Sequence, residues 1–341
     1  MVGCKIRDIE YYLPEKILSN EMLEQIYDNW NSEKIFKKVG IRQRHIAEVN
    51  ETAVDLAEKA ALKLFDKNLD LKDKVDFIIL CTQSPDYFLP TSACILQERL
   101  GIPTACGAFD YNLGCSGFVS GLAIAKGLIC AGIAKNVLLI TAETYSKYIN
   151  PMDRSTRTIF GDAASATWIT VDEGHNYIQN FVFGTDGSGA ANLIVPAGGA
   201  RLNRNQVTSE ETYDEDGNIR SQDNLYMNGA QIFNFTLERV PGLIKEVIDT
   251  NSTTMDQINC FIFHQANKFM LEHLRVKLGI PEEKFLNQIE DIGNTVSSTI
   301  PIALKEALRY GKIKIGDKLL LVGFGVGYSW AGCIIEWSGN K

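Results

Sequence analysis

The sequence predicts a layered α/β protein made of two repeated halves. Short apolar runs alternate with helical patterns along the 341 residues, the pattern of parallel βαβ units. The order strand, helix, Leu-Gly-Ile-Pro, polar turn, helix, strand occurs twice, with the tetrapeptide at Leu100–Pro103 and at Leu278–Pro281. The chain is also too long for one simple core. The halves divide as residues 1–172 and 173–341.

In the first half, residues 5–14 read as a strand ending at Leu13-Pro14, and Ser19-Asn20-Glu21 opens a short helix with capping chemistry. Residues 31–48 are charged. Thr52 caps a helix over 53–66, with Ala53, Leu56, Ala57, Ala60 and Leu64 at helical spacing. Val75–Cys81 is an apolar run between an Asp and a Ser-Pro, hence a buried strand. A helix follows Pro90, then a strand at 105–110. Residues 110–134 begin as a polar turn and become a helix apolar all round, which must be buried. Asn136–Thr141 closes the unit as a strand.

In the second half, Ile258–Phe263 is a buried strand and a helix runs on to Leu278. Asp291–Thr295 is a turn before a helix at 297–310. Lys318–Val322 is a strand, Gly323-Phe-Gly-Val-Gly327 a glycine turn, and Tyr328–Trp337 a further strand. The Gly-rich, then acidic, segment 196–230 reads as an exposed loop or hairpin, long enough for a lid or a partner contact.

Composition excludes several classes. A net charge of −8 without a basic run argues against nucleic-acid binding; an acidic carrier would have to meet a local basic patch. Eight scattered Cys without a C-x-x-C pair argue against a zinc site or disulfide framework and for a reducing compartment. The first residues lack a signal-peptide hydrophobic region, so a cytoplasmic location is expected. The run after Cys115 is about long enough to span a bilayer, but its Gly and Ser content and Lys126 favour a core helix, not a membrane segment.

Cys115 stands where a turn becomes that helix. Free N–H groups and the helix dipole there favour a thiolate, which predicts a lowered pKa and a nucleophile suited to an acyl group. The competing reading is a Cys that only packs. The repeat sets the Asn294 turn against the Cys115 turn, and His264 against Gln83, each at a strand end or helix start. Ligands gather at such ends, so Cys115, His264 and Asn294 are expected to converge, although His264 alone reads as a structural hydrogen bonder and Asn294 as a turn residue. The 323–327 turn precedes a strand, so no dinucleotide or P-loop context exists. Its N–H groups still suit an oxyanion.

The chain resembles the thiolase-superfamily condensing enzymes, specifically the β-ketoacyl-acyl-carrier-protein synthase III family, over nearly its full length. The resemblance rests on Gly40-Ile-Arg-Gln-Arg-His45, Leu113-Gly-Cys-Ser-Gly-Phe118, Asp153-Arg154 with Phe160-Gly161-Asp162, Met227-Asn-Gly229, His264-Gln-Ala-Asn267, Gly293-Asn-Thr295 with Pro301, and Gly323-Phe-Gly-Val-Gly327. It implies a thiolase-like five-layered αβαβα fold, a homodimer, and no metal or organic cofactor. It also implies that Cys115 takes an acyl group from acyl-CoA or acyl-carrier protein. Malonyl-carrier protein then loses CO2, held by His264 and Asn294, and the carbanion attacks the acyl-Cys. Backbone N–H groups of Cys115 and Val326 would form the oxyanion hole. Phe324 would pack on the His–Asn pair, Arg154 and Lys38 would lie near the coenzyme A nucleotide, Asn267 and Gly229 would line the pantetheine tunnel, and Leu89 of the partner subunit would close the acyl pocket. Lys268, Arg275 and Lys277 would face carrier protein.

Departures from the family pattern concern binding. Lys34 and Lys38 stand where a Trp and an Arg are usual, with Trp30 displaced; Phe269 and Asn234 replace an Arg and a Lys. A specialised pathway, acyl transfer to an alcohol or amine without condensation, and a plant-type (type III) polyketide synthase are the alternatives. A thiolase would need a second Cys in the C-terminal glycine turn, and a hydroxymethylglutaryl-CoA synthase a Glu where Gln83 and Ser84 stand.

Overall fold

The computed structural model describes residues 2–339. Seven helices frame the site: Ser32–Val39 (α1), Ala53–Lys67 (α2), Ser92–Arg99 (α3), Gly117–Cys130 (α4), Gly229–Thr250 (α5), Lys268–Lys277 (α6) and Thr299–Arg309 (α7). Five strands form the first sheet: Gly3–Tyr12 (β1), Phe77–Cys81 (β2), Gly107–Tyr111 (β3), Asn136–Glu143 (β4) and Ala163–Asp172 (β5), in the order β1-β5-β4-β2-β3. Four form the second: Ile178–Thr185 (β6), Cys260–Phe263 (β7), Lys318–Gly325 (β8) and Ser329–Glu336 (β9), in the order β7-β8-β9-β6.

The second sheet repeats the first. In each, two central strands run parallel (β2 with β4, β7 with β8), and the sheet then continues through two antiparallel strands, the outer one (β1 or β6) coming earlier in the chain. The counterpart of β3 is reduced to one parallel bridge, Phe261 to Phe285. α4 and α7 each touch strands of both sheets, α2 and α3 cover the outer face of the first, and α5 covers the outer face of the second with α6 beside it. The five-layered αβαβα expectation therefore holds. α4 is buried along Phe118, Val119, Leu122, Ala125 and Ile129 because it is the central layer.

Local chemistry sets the boundaries. Thr52 and Asp55 form a reciprocal capping box at the start of α2. β1 ends at Tyr12, two residues short of the expected limit, ahead of the proline that cannot join a ladder. The charged segment 31–48 holds α1, which Asn31 caps through the Lys34 N–H at 2.7 Å and Gly40 ends. Two expectations need correction. The glycine turn does not begin at Gly323: β8 continues through Gly325, which pairs with Ser329, and only the residues between them turn. The 297–310 helix starts as a 3-10 turn at Val296–Ser298 and becomes α-helical at Thr299. Segment 196–230 does carry a hairpin, Thr212–Tyr213 with Ile219–Arg220, but Thr208, Asn218 and Leu225 are buried and Arg220 pairs with buried Asp153 at 3.1 Å. Among the described residues no helix is long and apolar enough to cross a membrane.

Candidate active site

Cys115 precedes α4, and its sulfur lies in the crease between the two halves. Small residues make this possible. A Cβ on Gly117 would meet Cys81 Sγ at 2.3 Å, and one on Gly323 would meet the Cys115 carbonyl oxygen at 2.7 Å. A Cβ on Gly325 would stand 2.7 Å from Cys115 Sγ itself. Strand β8 thus runs against the nucleophile with no side chain between them. Ser116 Oγ and Ser329 Oγ, 2.7 Å apart, tie the helix start to the β8–β9 hairpin.

His264 follows β7 and is buried. Its Nδ1 lies 2.7 Å from Thr299 Oγ1, at the first residue of α7. The Thr299 hydroxyl has two acceptors in reach, that nitrogen and the Val296 carbonyl at 3.0 Å. When it donates to Nδ1, the ring proton resides on Nε2, free to donate. Burial pushes the His264 pKa down to about 3, so the imidazole is neutral. The Phe324 ring meets it edge-on at 5.8 Å between centroids.

Asn294 is fixed by its backbone. Its N–H donates to the Ile159 carbonyl and its carbonyl accepts from Gly161, both at 2.9 Å. Its side-chain oxygen accepts from the Val296 N–H at 2.9 Å, while Nδ2 reaches the Ala266 carbonyl at 3.3 Å. One amide hydrogen remains for a ligand. Behind this turn, buried Arg44 donates to the carbonyls of Leu18 and Thr158 and to Asn20. A Cβ on Gly293 would come within 2.8 Å of Arg44 Cβ. Asp162, also buried, accepts from the Ala47 and Ser146 N–H groups. The Phe160–Asp162 motif therefore holds Asn294 directly through the Gly161 N–H, and the Gly40–His45 motif backs the same turn through Arg44.

One narrow cavity of about 110 Å³ joins these groups: Cys115, His264, Asn294 and Phe324 line it with Asn267, Gly229, Met227, Ile232 and Met270. A larger groove of about 960 Å³ lies among Asp8, Glu10, Lys63, Lys67, Lys305 and Arg309, but it is open, salt-bridged and shares no residue with the Cys115 cavity. The smaller cavity is the one on which Cys115, His264 and Asn294 converge.

The thiol corrects an expectation. Burial pushes the Cys115 pKa up to about 12, and the buried Glu143 carboxyl adds to the rise. N–H groups of Val326 and Cys115 interact with the sulfur and oppose the rise, but among the described residues no cation assists them. The helix-start argument counted the dipole and omitted desolvation. Those two N–H groups are the expected oxyanion donors, and both already face the sulfur.

Other sequence-predicted residues divide. Gly229 begins α5 and Asn267 caps α6, its Oδ1 accepting from Met270 N at 2.8 Å. Arg154 does not line the cavity. It reaches the Asp216 carbonyl of the hairpin and lies 5.4 Å from the Trp30 ring, which also carries Lys38 at 4.8 Å and Lys34 at 5.6 Å. Trp30 is thus the centre of a cationic cluster, a role the sequence reading missed. Lys268 packs on Gly40 and sits 5.8 Å from the Phe36 ring. Arg275 is tied to Glu272 and the Ile280 carbonyl, and Lys277 to the Leu237 carbonyl at 2.7 Å. Leu89 is 81% exposed beside exposed Tyr87 and Phe88 and lines neither its own chain's Cys115 cavity nor the one adjoining it. Thr299, Glu143 and Tyr145 were also missed; their partners are remote in sequence.

Comparison with known proteins agrees with this geometry. Residues 109–187 match the family model described as 3-oxoacyl-[acyl-carrier-protein (ACP)] synthase III, and residues 248–337 match its C-terminal counterpart. A β-ketoacyl-[acyl-carrier-protein] synthase III of Caldanaerobacter subterraneus is 40% identical, covering 96% of each chain. One from Halalkalibacterium halodurans is 38% identical, covering 98% of this chain and 97% of its own. A solved 3-oxoacyl-(acyl-carrier-protein) synthase III superposes with a TM-score of 0.97 at 52% identity, over 98% of this chain and 100% of that one. Another, from Burkholderia xenovorans, gives 0.91 at 37%, over 100% and 96%.

Proposed function

The chain belongs to the β-ketoacyl-[acyl-carrier-protein] synthase III family, and from that premise we propose that it condenses a Cys115-bound acyl group with a malonyl thioester. The convergence of Cys115, His264, Asn294 and Phe324 on one cavity carries the reading. In the first step the Cys115 sulfur attacks the carbonyl of acyl-CoA or acyl-carrier protein. The oxyanion rests on the Cys115 and Val326 N–H groups, and the thiol proton leaves with the departing thiol. Each such donor is worth about 10²–10³ in rate.

In the second step malonyl-carrier protein enters. Its thioester carbonyl accepts from His264 Nε2–H and Asn294 Nδ2–H, and its carboxylate leaves as CO2. The resulting enolate carbon attacks the acyl-Cys carbonyl and the Cys115 thiolate departs, taking a proton from solvent. The products are CO2 and the 3-oxoacyl thioester. Decarboxylation itself supplies the carbanion, so this chemistry calls for no strong base, resident metal or organic cofactor. A neutral His264 suits a hydrogen-bond donor.

The cations about Trp30 suit a phosphate-bearing nucleotide, and Lys268, beside tunnel-lining Asn267, suits an acidic carrier. Arg275 and Lys277 are less free, since both are committed to neighbours. Exposed Leu89, with Tyr87 and Phe88, suits a second copy of this chain in a homodimer. Eight free cysteines suit a reducing, cytoplasmic location.

The test is intact-protein mass after incubation with a panel of acyl-CoAs and acyl-carrier proteins, followed by turnover with malonyl-carrier protein. Wild type gains one acyl group and then releases 3-oxoacyl product, and Cys115→Ala does neither. Absence of an adduct with every donor, or an adduct retained in Cys115→Ala, overturns the assignment.

A further inference from the structure

A second cavity, of about 240 Å³, adjoins the first. Leu193 lines both, and Val326, whose N–H reaches the Cys115 sulfur, lines the second. An acyl group carried on Cys115 with its oxygen on the Val326 N–H would lie on the side of this cavity. Part of the wall is apolar, as an alkyl chain requires: Leu193, Ile194, Val195 and Leu225. The remainder is Gln83, Asn112, Tyr145 and Tyr148.

These four form one network. Tyr145 donates its hydroxyl proton to Gln83 Oε1, Gln83 Nε2 donates to Asn112 Oδ1 at 2.9 Å, and Tyr148 reaches the Gln83 carbonyl at 3.3 Å. Gln83 Oε1 lies so close to Gly114 that a Cβ there would meet it at 2.5 Å. The amide therefore stands beside the residue preceding the nucleophile. The network leaves capacity unused. Among the described residues the second Gln83 N–H and the Asn112 amide N–H groups have no protein acceptor, and Tyr145 Oη keeps lone pairs; Gln83 is half-buried and Asn112 exposed, so solvent reaches both amides until an acyl group fills the cavity. A plain alkyl group would cover these donors and leave them unpaired, whereas a hydroxyl would accept from them.

We propose that this cavity selects a short primer acyl group bearing a neutral hydrogen-bonding substituent, a hydroxyl a few atoms from the thioester, with Gln83 as the specificity-determining residue. The proposal rests on the reading that Cys115 is acylated, and the test separates the two. The Cys115 acylation rate is measured by intact mass with acetyl-, butyryl-, 3-hydroxybutyryl- and succinyl-CoA on wild type, Gln83→Leu and Tyr145→Phe.

Wild type is expected to react roughly tenfold faster with 3-hydroxybutyryl- than with butyryl-CoA. Gln83→Leu should reverse that order, with butyryl gaining in absolute rate, a result that misfolding does not give. Tyr145→Phe, which frees the Gln83 amide from its anchor, should narrow the preference. Equal or faster reaction of butyryl-CoA with wild type overturns the proposal. So does reaction of acetyl-CoA alone, which makes the network a plug, or preference for succinyl-CoA, which makes Arg204, on the open groove that shares Gln83, Asn112 and Tyr148 with this cavity, the determinant. An adduct of any of these kinds leaves the Cys115 assignment standing. No adduct from any thioester, carrier-bound ones included, removes both.

Discussion

Gly325 is where the geometry makes its sharpest demand. Replacing it by Ala puts a methyl carbon 2.7 Å from Cys115 Sγ and 2.9 Å from Cys115 Cβ. Non-bonded carbon contacts settle at about 3.5–4.0 Å, so something must yield by roughly 1 Å. Neither side is free. Gly325 pairs with Ser329 at the closed end of the β8–β9 hairpin, and Ser116 is bridged to Ser329 from the helix side. The next residue, Val326, carries the N–H that faces the sulfur. Movement of the strand therefore displaces an oxyanion donor, whose loss costs about 10²–10³ in rate. The overpacking adds about 1–3 kcal/mol of destabilisation. The assay is the single-turnover acylation rate of Cys115 by mass, with thermal unfolding of the same samples. Gly242→Ala is the control, because a Cβ there meets nothing within 4 Å and the position lies inside α5. We expect Gly325→Ala to remain folded and acylate at least about 10²-fold more slowly, with Gly242→Ala unchanged in rate. A folded Gly325→Ala protein acylating within about threefold of wild type would refute the argument that β8 positions the donor.

Three further outcomes follow from the buried groups. Thr299→Val removes the hydroxyl 2.7 Å from His264 Nδ1; condensation of the preformed acyl-enzyme with malonyl-carrier protein should slow by roughly tenfold while the acylation rate holds. Since burial sets the Cys115 thiol at about 12, its alkylation by iodoacetamide should rise about tenfold per pH unit from roughly pH 6 to 9 without a plateau. Glu143 is fully buried, and burial raises its pKa from 4.5 to about 8. The folded state then holds a proton that the unfolded state releases. Stability should fall as pH rises from about 4.5 to about 8, and denaturant titrations of Glu143→Gln should show a shallower decline across that window.

The convergence of Cys115, His264 and Asn294 was legible because each sits at a break in a strong pattern: a polar turn before an apolar helix, a polar run after an apolar strand, a Gly-Asn-Thr between periodic segments. The layer order was legible because apolar runs of strand length alternate with helical spacing in both halves. What the sequence concealed is what joins the halves. Glu143, at the end of β4, accepts from Ser297 Oγ at 2.9 Å and from the Gln83 N–H at 3.0 Å, partners 154 and 60 positions away. Thr141 and Ser298 meet at 2.8 Å across a similar interval. No periodicity encodes such pairs, and an isolated Glu after an apolar strand reads as its solvent-facing end.

The same blindness accounts for the errors on charge. Position at a helix start argues for a thiolate only while water still reaches the sulfur, and pattern alone does not say how deeply a turn is buried. Arg154, expected near a nucleotide, touches the hairpin at the Asp216 carbonyl and stands over the Trp30 ring with Lys34 and Lys38, a grouping that pattern alone does not show. Trp30 was set aside as displaced, yet three cations surround it, since aromatic–cation contacts need proximity in space and not a fixed place in the chain. Sequence thus identifies which groups can react. The depth at which they react, and the shape of what they accept, emerges only when the chain closes on itself: β8 of the second half lies bare against Cys115, and Gln83, after the neighbouring strand β2, supplies the polar wall beside it.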